Sequence, residues 1–418
     1  MSEDLPPFRI LVLCPHFDPD LHAATGEVMT RLVDSLAAQG HTIDVVTSLP
    51  WYRDHSVEQG WRGRPVRAES TSFGSITRVW PFPTDKGSII SRGLAFVAQT
   101  ALSLAVSVFK KSPDVVIAMS PPIFFGSAAR ILARRFRVPF IFNVQDIFPD
   151  VAVDLGMLSN SQVIAAARRL ERSLYSSADV VTVLSQDQAE NVRRKLPTEV
   201  DPDQRVRIIP NFVDTVRVQV VDRQTQYRRD HALEDKTVVM YSGNVGFSQS
   251  FSLVQAAAQH FLDRPELVFV INGEGAARAA VEEWAAPLSN VLVTDFAPRE
   301  AVSDVLGSAD LHLILLRKGL AKSSTPSKLY GIMAAGRPVL ASIDVDSDAD
   351  RIIRSAGAGL AVPPDDPHRF VEALEAMVAS PGELRAMGER AHAYLRHLYT
   401  PDQQAEAYGL LIAELCSR

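Results

Sequence analysis

Cysteine is nearly absent from this chain. Cys14 and Cys416 are the only two in 418 residues, and they stand at opposite ends. A framework of disulfides is excluded, and reduced, buried thiols in a cytoplasmic protein are expected. Long apolar runs are also missing. The longest, from Gly93 to Phe109, contains Gln99, Thr100 and two serines. It falls short of the roughly 20 residues that span a bilayer, so a core helix is expected there. Positive charge is not in excess. Lys and Arg number 43 against 49 Asp and Glu, a net charge of −6, which excludes a protein built mainly to coat nucleic acid. The opening residues, MSEDLPPF, carry acids where a secretory leader carries bases. Neither a G-x-G-x-x-G nor a Walker A motif occurs, which counts against a nicotinamide enzyme or a P-loop ATPase.

What is present is an ordinary globular composition, 46% apolar and 22% charged. The length suits two to three domains. Short β-branched runs such as Arg9–Leu13 (RILVL) and Thr42–Thr47 alternate with stretches of helical period such as Gly26–Gln39. This is the rhythm of a parallel sheet covered on both faces. Further strands are expected at Val115–Ala118, Phe140–Val144, Val180–Leu184 and Arg207–Ile209. The rhythm restarts at Thr237–Tyr241 and continues through Gly359–Val362. The expected fold is therefore α/β, with two Rossmann-like, doubly wound domains. Residues 1–214 form the first, 215–399 the second, and 400–418 a C-terminal helix opened by Thr400 and Pro401. The first half carries 23 bases and 23 acids and the remainder 20 and 26, so the whole −6 lies in the second half.

Ligands of open parallel sheets bind at the carboxyl ends of the strands. Four loops there carry candidate chemistry. The first runs from Cys14 through His16 to Gly26, a glycine at a helix start that would let a phosphate or sugar approach free N–H groups. The second is Ser242-Gly243-Asn244-Val245-Gly246-Phe247-Ser248-Gln249, whose glycines, amides and hydroxyls can present donors to a diphosphate. The third is Asn272-Gly273-Glu274-Gly275. The fourth is the strongest: Lys322-Ser323-Ser324-Thr325-Pro326-Ser327-Lys328. Thr325 reads there as an N-cap and Pro326 as the first helical residue. Two lysines beside a helix N-terminus, in a net acidic half, suggest a diphosphate site. A solvated lysine pair on a capped helix is the plain alternative.

The order Gly-Asn-Val-Gly (243–246), Gly-Glu-Gly (273–275) and Pro-Ser-Lys-Leu-Tyr (326–330), with Ala-Ala-Gly-Arg-Pro-Val (334–339), resembles glycosyltransferase family 4, which has the GT-B fold. The branch it most resembles holds the colanic acid and O-antigen biosynthesis glycosyltransferases. Leu36–His41, Val144–Asp150 and Ile209–Asp214 in the first half agree with it. The resemblance implies a retaining transferase with no required metal or other cofactor. Its donor would be a nucleotide-diphosphate sugar held by the C-terminal domain, through Gly243, Asn244, Gln249, Gly273, Glu274, Lys322, Ser324, Thr325, Ser327 and Lys328. The acceptor, a glycan or a lipid-linked sugar, would sit on the N-terminal domain across a cleft, and Gly26 would join the donor-binding residues from that side. Two departures stand out. Leu320 and Lys328 occupy the positions of a glutamate pair that many members carry. Asn244 and Gln249 stand where an arginine and a lysine clamp the phosphates.

Asp146, just past the strand Phe140–Val144, is the candidate catalytic carboxylate, with His16 as an alternative base. A turn or N-cap role for Asp146 weighs about evenly against it. The cluster Arg130, Arg134, Arg135 and Arg137 fits peripheral contact with the inner face of a membrane, and fits a solvated helix face as well. A nucleotide-sugar epimerase of the same architecture and a non-catalytic donor-binding subunit are the competing readings.

Overall fold

The computed structural model describes residues 6–21, 24–51, 56–83, 89–323 and 326–417. The chain divides into two compact units. Met1–Asn211 and Pro401–Arg418 make up the first, and Phe212–Thr400 the second.

In the first unit, β1 (Arg9–Leu13), β2 (Thr42–Ser48), β3 (Val66–Thr71), β4 (Gly74–Val79), β5 (Val115–Ser120), β6 (Phe140–Val144), β7 (Val180–Val183) and β8 (Val206–Ile208) build one sheet. Its order is β3-β4-β2-β1-β5-β6-β7-β8. Every pairing is parallel except β3 with β4. That antiparallel hairpin departs from the expected all-parallel sheet. β3 mixes half-buried with exposed residues, and β4, although Ile76–Val79 are buried, carries Thr77 and Arg78 among them. The sequence VRAESTSFGSITRV has no apolar run, so the buried-strand signal is missing.

Residues of β1 point alternately into two cores. Leu11 and Leu13 join one apolar cluster, and Ile10 and Val12 the other. This is why the strand is apolar from Ile10 to Leu13. Helices α1 (Ala24–Ala38), α2 (Ile89–Ser107), α3 (Phe124–Phe136) and α4 (Ser161–Ser177) cover the sheet together with the C-terminal α5 (Pro401–Cys416). α1 and α5 close one face, where Met29, Leu32, Val33 and Leu36 pack with Ala405, Tyr408, Leu411 and Ile412. α2, α3 and α4 lie on the other face. Tyr408 reaches into the sheet. Its hydroxyl accepts from Asn143 Nδ2 at 2.5 Å and lies 2.9 Å from Thr182 Oγ1.

α2 packs on the core, as expected, through Leu102, Leu104 and Val106. Its most buried positions are nevertheless polar, Gln99, Ser103 and Ser107, whereas Leu94 and Val97 are exposed and Phe109, just past its end, is 89% exposed. Thr100 Oγ1 donates to Phe96 O and Ser107 Oγ to Ser103 O within the helix, whereas the Ser103 hydroxyl and the Gln99 amide have no hydrogen-bond partner among the described residues. The expectation of two buried thiols needs correction. Cys14 is fully buried, and burial pushes its pKa up to about 12. Cys416 is only half-buried. No helix among the described residues is long and apolar enough to cross a membrane.

The second unit is parallel throughout. β9 (Thr237–Ser242), β10 (Leu267–Asn272), β11 (Val291–Thr294), β12 (Leu311–Leu315), β13 (Val339–Ser342) and β14 (Gly359–Val362) run in the order β11-β10-β9-β12-β13-β14. The winding direction reverses between β9 and β12 here, and between β1 and β5 in the first unit. These are the topological switch points where such sheets bind ligands.

Tyr408→Ala would leave a cavity between α5 and the sheet and two polar groups without their partner. A loss of about 4 kcal/mol of stability is expected by denaturant unfolding followed on the first unit.

Candidate functional site

At the switch point of the second unit, the loop after β9 and the segment after β12 run side by side. Ser250 N donates to Leu315 O at 3.0 Å and Arg317 N to Ser248 O at 3.1 Å. Between them lies Lys328. It begins the helix Lys328–Ala334 two residues later than expected, with Ser327 at the N-cap position and no side-chain cap bond. Pro326 is therefore not the first helical residue, and Thr325 and Ser324 lie outside the described residues.

The Lys328 ammonium sits 3.6 Å above the centre of the Tyr241 ring. Tyr241, in β9, is fully buried, and its hydroxyl donates to Asn244 O at 2.6 Å, which fixes the ring. Among the described residues no carboxylate pairs with Lys328. Burial without a counter-ion pushes its pKa down to about 7. The fold thus prepares a place for an anion.

Gly243 borders this cation: a Cβ built on it would lie 3.0 Å from Lys328 Nζ. Gly273 serves the chain itself, because its Cβ would meet Gly243 O at 1.9 Å. The loops after β9 and β10 pack backbone against backbone there, and only glycine permits it. Asn244 offers its carbonyl to Tyr241. Gln249 turns into its own loop, accepting from Gly246 N at 3.0 Å and donating to Ser248 Oγ at 2.8 Å. Glu274 is paired with Arg278, which also holds Asp295 and Glu282. Lys322, itself exposed, ends the 3-10 turn Leu320–Lys322, whose Ala321 N donates to Asp344 Oδ2 at 3.2 Å. Leu320, at the first position of the replaced glutamate pair, is buried. The structure therefore brings Gly243, Asn244 and Lys328 together, while Gln249 and Glu274 are turned to neighbours within the protein.

In the first unit, His16 and Asp146 both stand at the carboxyl edge of the sheet, after β1 and β6, with β5 between them. His16 Nδ1 lies 2.9 Å from Asp20 Oδ2. Both side chains are buried, and Trp51 stacks on the imidazole at 5.9 Å. Gly26 is pressed against this loop, since a Cβ on it would come within 2.5 Å of Asp20 O. It closes α1 onto the His16 loop, so a packing constraint accounts for the glycine. Asp146 is half-buried. It is not the N-cap of the following helix, Asp150–Asp154, where Pro149 holds that position. Its neighbour Gln145 ties the turn down. Gln145 Oε1 accepts from Asn211 Nδ2 at 3.0 Å, and Gln145 O accepts from Gln188 Nε2 at 2.9 Å.

Three residues of these sites escaped the sequence reading: Tyr241, Asp20 and Trp51. The signals were an aromatic in a strand of small aliphatics (TVVMYS) and an acid four residues after His16.

Comparison with known proteins decides the class. Residues 24–211 match the glycosyl transferase 4-like domain, and residues 223–394 match glycosyl transferases group 1. The chain belongs to glycosyltransferase family 4. This glycosyltransferase is 26% identical over 383 residues to the putative colanic acid biosynthesis glycosyl transferase WcaI of Escherichia coli K12, covering 89% of this chain and 90% of that one. It is also 26% identical to the probable glycosyltransferase WbjE of Pseudomonas aeruginosa, over 80% and 84% of the two chains. Among solved structures, sucrose-phosphate synthase of Thermosynechococcus elongatus superposes with a TM-score of 0.73 at 18% identity, over 98% and 99% of the chains. HepE of Anabaena in complex with UDP-glucose gives 0.69 at 13%, over 98% and 99%. Likeness at that identity shows the fold, which is GT-B.

The low Lys328 pKa has a measurable consequence. An anion binds the charged lysine and draws the proton back on. Affinity for a nucleotide-diphosphate sugar is expected to be flat below pH 7 and to weaken about tenfold per pH unit above it. UDP-glucose is the suitable probe for calorimetry, because its phosphates do not titrate in that range. In Lys328→Arg the break near pH 7 should vanish.

Proposed function

We propose that this glycosyltransferase is a retaining enzyme that moves a hexosyl or N-acetylhexosaminyl group from a nucleotide-diphosphate sugar to a glycan or lipid-linked acceptor. The process would be cell-surface polysaccharide biosynthesis, at the cytoplasmic face of the membrane. One observation carries the reading: an unneutralised, half-buried lysine on an aromatic ring at a sheet switch point. The names of WcaI and WbjE and the UDP-glucose bound to HepE support it.

In this reading Lys328 and the backbone dipoles around Gly243 meet the diphosphate. Negative charge grows on the departing phosphate as the anomeric carbon–oxygen bond breaks, so the lysine stabilises the transition state more than the ground state. The acceptor hydroxyl attacks from the face that the nucleotide leaves. Asp146 would stabilise positive charge at the anomeric carbon or accept the hydroxyl proton. His16 is the alternative base. Asp20 would hold the Nδ1 proton and leave Nε2 to accept. No step in this scheme calls on a metal.

The buried Leu320, where the family pattern has an acid, favours a second reading, a subunit that binds donor without turning it over. Incubation with labelled nucleotide sugars separates the readings. Transfer, or slow release of free sugar, supports the enzyme. Epimerised nucleotide sugar would mark an isomerase, and binding alone the subunit.

Two variants test the roles. Lys328→Ala should weaken nucleotide-diphosphate binding by about 1.5–3 kcal/mol and leave nucleoside binding unchanged. Asp146→Asn should keep donor affinity and lose turnover by roughly 10²-fold or more, with kcat and kcat/KM falling together. Normal turnover in a folded Asp146→Asn protein would transfer the chemistry to His16.

A further inference from the structure

The two helical layers of the first unit differ in charge. α1 and α5 carry Glu27, Asp34, Asp402, Glu406 and Glu414 against one base, Arg31. On the opposite face, α2 has no acid, and α3 and α4 together carry six arginines and one acid. That acid, Glu171, is buried and bonded to Lys195 and Tyr175. Arg168 pairs with Asp150. Among the described residues, Arg134, Arg135, Arg169 and Arg172 have no carboxylate partner. The chain as a whole is acidic, so this basic face is a local feature.

The same face exposes apolar side chains. α2 packs Leu102, Leu104 and Val106 on the core, yet it also leaves apolar side chains outside: Leu94 is 66% exposed and Val97 is also exposed. Phe109 beyond its end, Ile131 of α3 and Val163 of α4 are exposed too. On α3, Ile131 shares one helix face with Arg134 and Arg135, at spacings of three and four.

We infer that the α2–α3–α4 face docks on the surface of an anionic lipid bilayer. The inference rests on the reading above that places the enzyme at a membrane, and it names the surface responsible. Aliphatic and aromatic side chains enter the acyl boundary, and the arginines meet the lipid phosphates. A second copy of this chain is a poor occupant, since a two-fold contact would set arginines against arginines with no acid between them. Nucleic acid would meet the arginines but leave the apolar row uncovered.

Sedimentation of the full chain with vesicles tests the idea. Vesicles of equal parts phosphatidylcholine and phosphatidylglycerol should carry the protein down, and phosphatidylcholine alone should carry far less. Arg134→Ala/Arg135→Ala should reduce partitioning about tenfold or more. Salt should weaken the wild type and change that variant less. Leu94→Ser/Phe109→Ser should also reduce partitioning by at least about tenfold, from the lost burial of two large apolar groups. All four positions are exposed, so thermal melting and UDP-glucose binding should stay at wild-type values in both variants. Equal binding to the two vesicle types, or no loss in either variant, overturns the inference. So does a dimer in sedimentation velocity that the same variants dissolve, which would assign the face to a second copy. Protein that binds UDP-glucose but no vesicles refutes the docking face alone. Protein that binds vesicles but no nucleotide sugar refutes the donor site and leaves the face standing.

Discussion

A cation withdrawn from water without a counter-ion raises the free energy of the fold that holds it. Lys328 is in that position, and the architecture of the second unit is arranged around it. The ring of Tyr241 beneath it returns part of the lost solvation. That ring is immobilised by the Asn244 carbonyl. The Asn244 loop is in turn held by backbone bonds to the segment after β12 and by the close approach that Gly273 allows. Each of these contacts would be dispensable in a protein that bound nothing there. Together they keep an electrostatic vacancy in a fixed place, which is what binding a diphosphate without reorganisation requires.

The sequence showed this site only in part, for physical reasons. Runs such as RILVL and LHLIL are apolar at all but one position because both sheet faces are covered, and they betrayed nearly every strand. The edge hairpin of β3 and β4 stayed hidden because β3 is partly exposed and the buried end of β4 carries Thr77 and Arg78, so its composition is that of a loop. The Pro-Ser-Lys segment was readable as a helix start near a ligand. The helix begins at Lys328, whose ammonium lies over the Tyr241 ring of β9, a contact that no local pattern announces. α2 was legible only in part. Composition marks Gly93–Phe109 as apolar, and Leu102, Leu104 and Val106 do pack on the core, but it does not say that Gln99, Ser103 and Ser107 would also be buried while Leu94 and Phe109 stay outside. Tyr241 stood out as the aromatic of its strand, but its partner did not, because no local pattern says that a strand residue will lie under a lysine 87 positions later.

The two candidate catalytic groups differ in how tightly the fold constrains them. His16 is held on three sides, by Asp20, by the Trp51 ring and by a loop that Gly26 allows to close. Asp146 stands on a turn whose rigidity comes from its neighbour, Gln145, through Asn211 and Gln188. A group that is itself pinned suits a proton transfer along one direction. A half-buried group beside a pinned one suits electrostatic work over a broader area.

The route of the chain sets the order in which it can fold. The first unit begins at the N-terminus but lacks α5 until the ribosome has made residue 415. Until then Met29, Leu32, Val33 and Leu36 of α1 have no Tyr408 or Ile412 to pack against, and the hydroxyl that joins Asn143 to Thr182 is missing. The second unit is continuous in sequence and has no such wait. At ordinary elongation rates its synthesis lasts roughly 10–40 s. Through that time the older half of the protein stands with one face of its sheet incompletely covered. The N-terminal unit is therefore the last to be completed, and its apolar α1 face is the surface a chaperone would meet on the nascent chain.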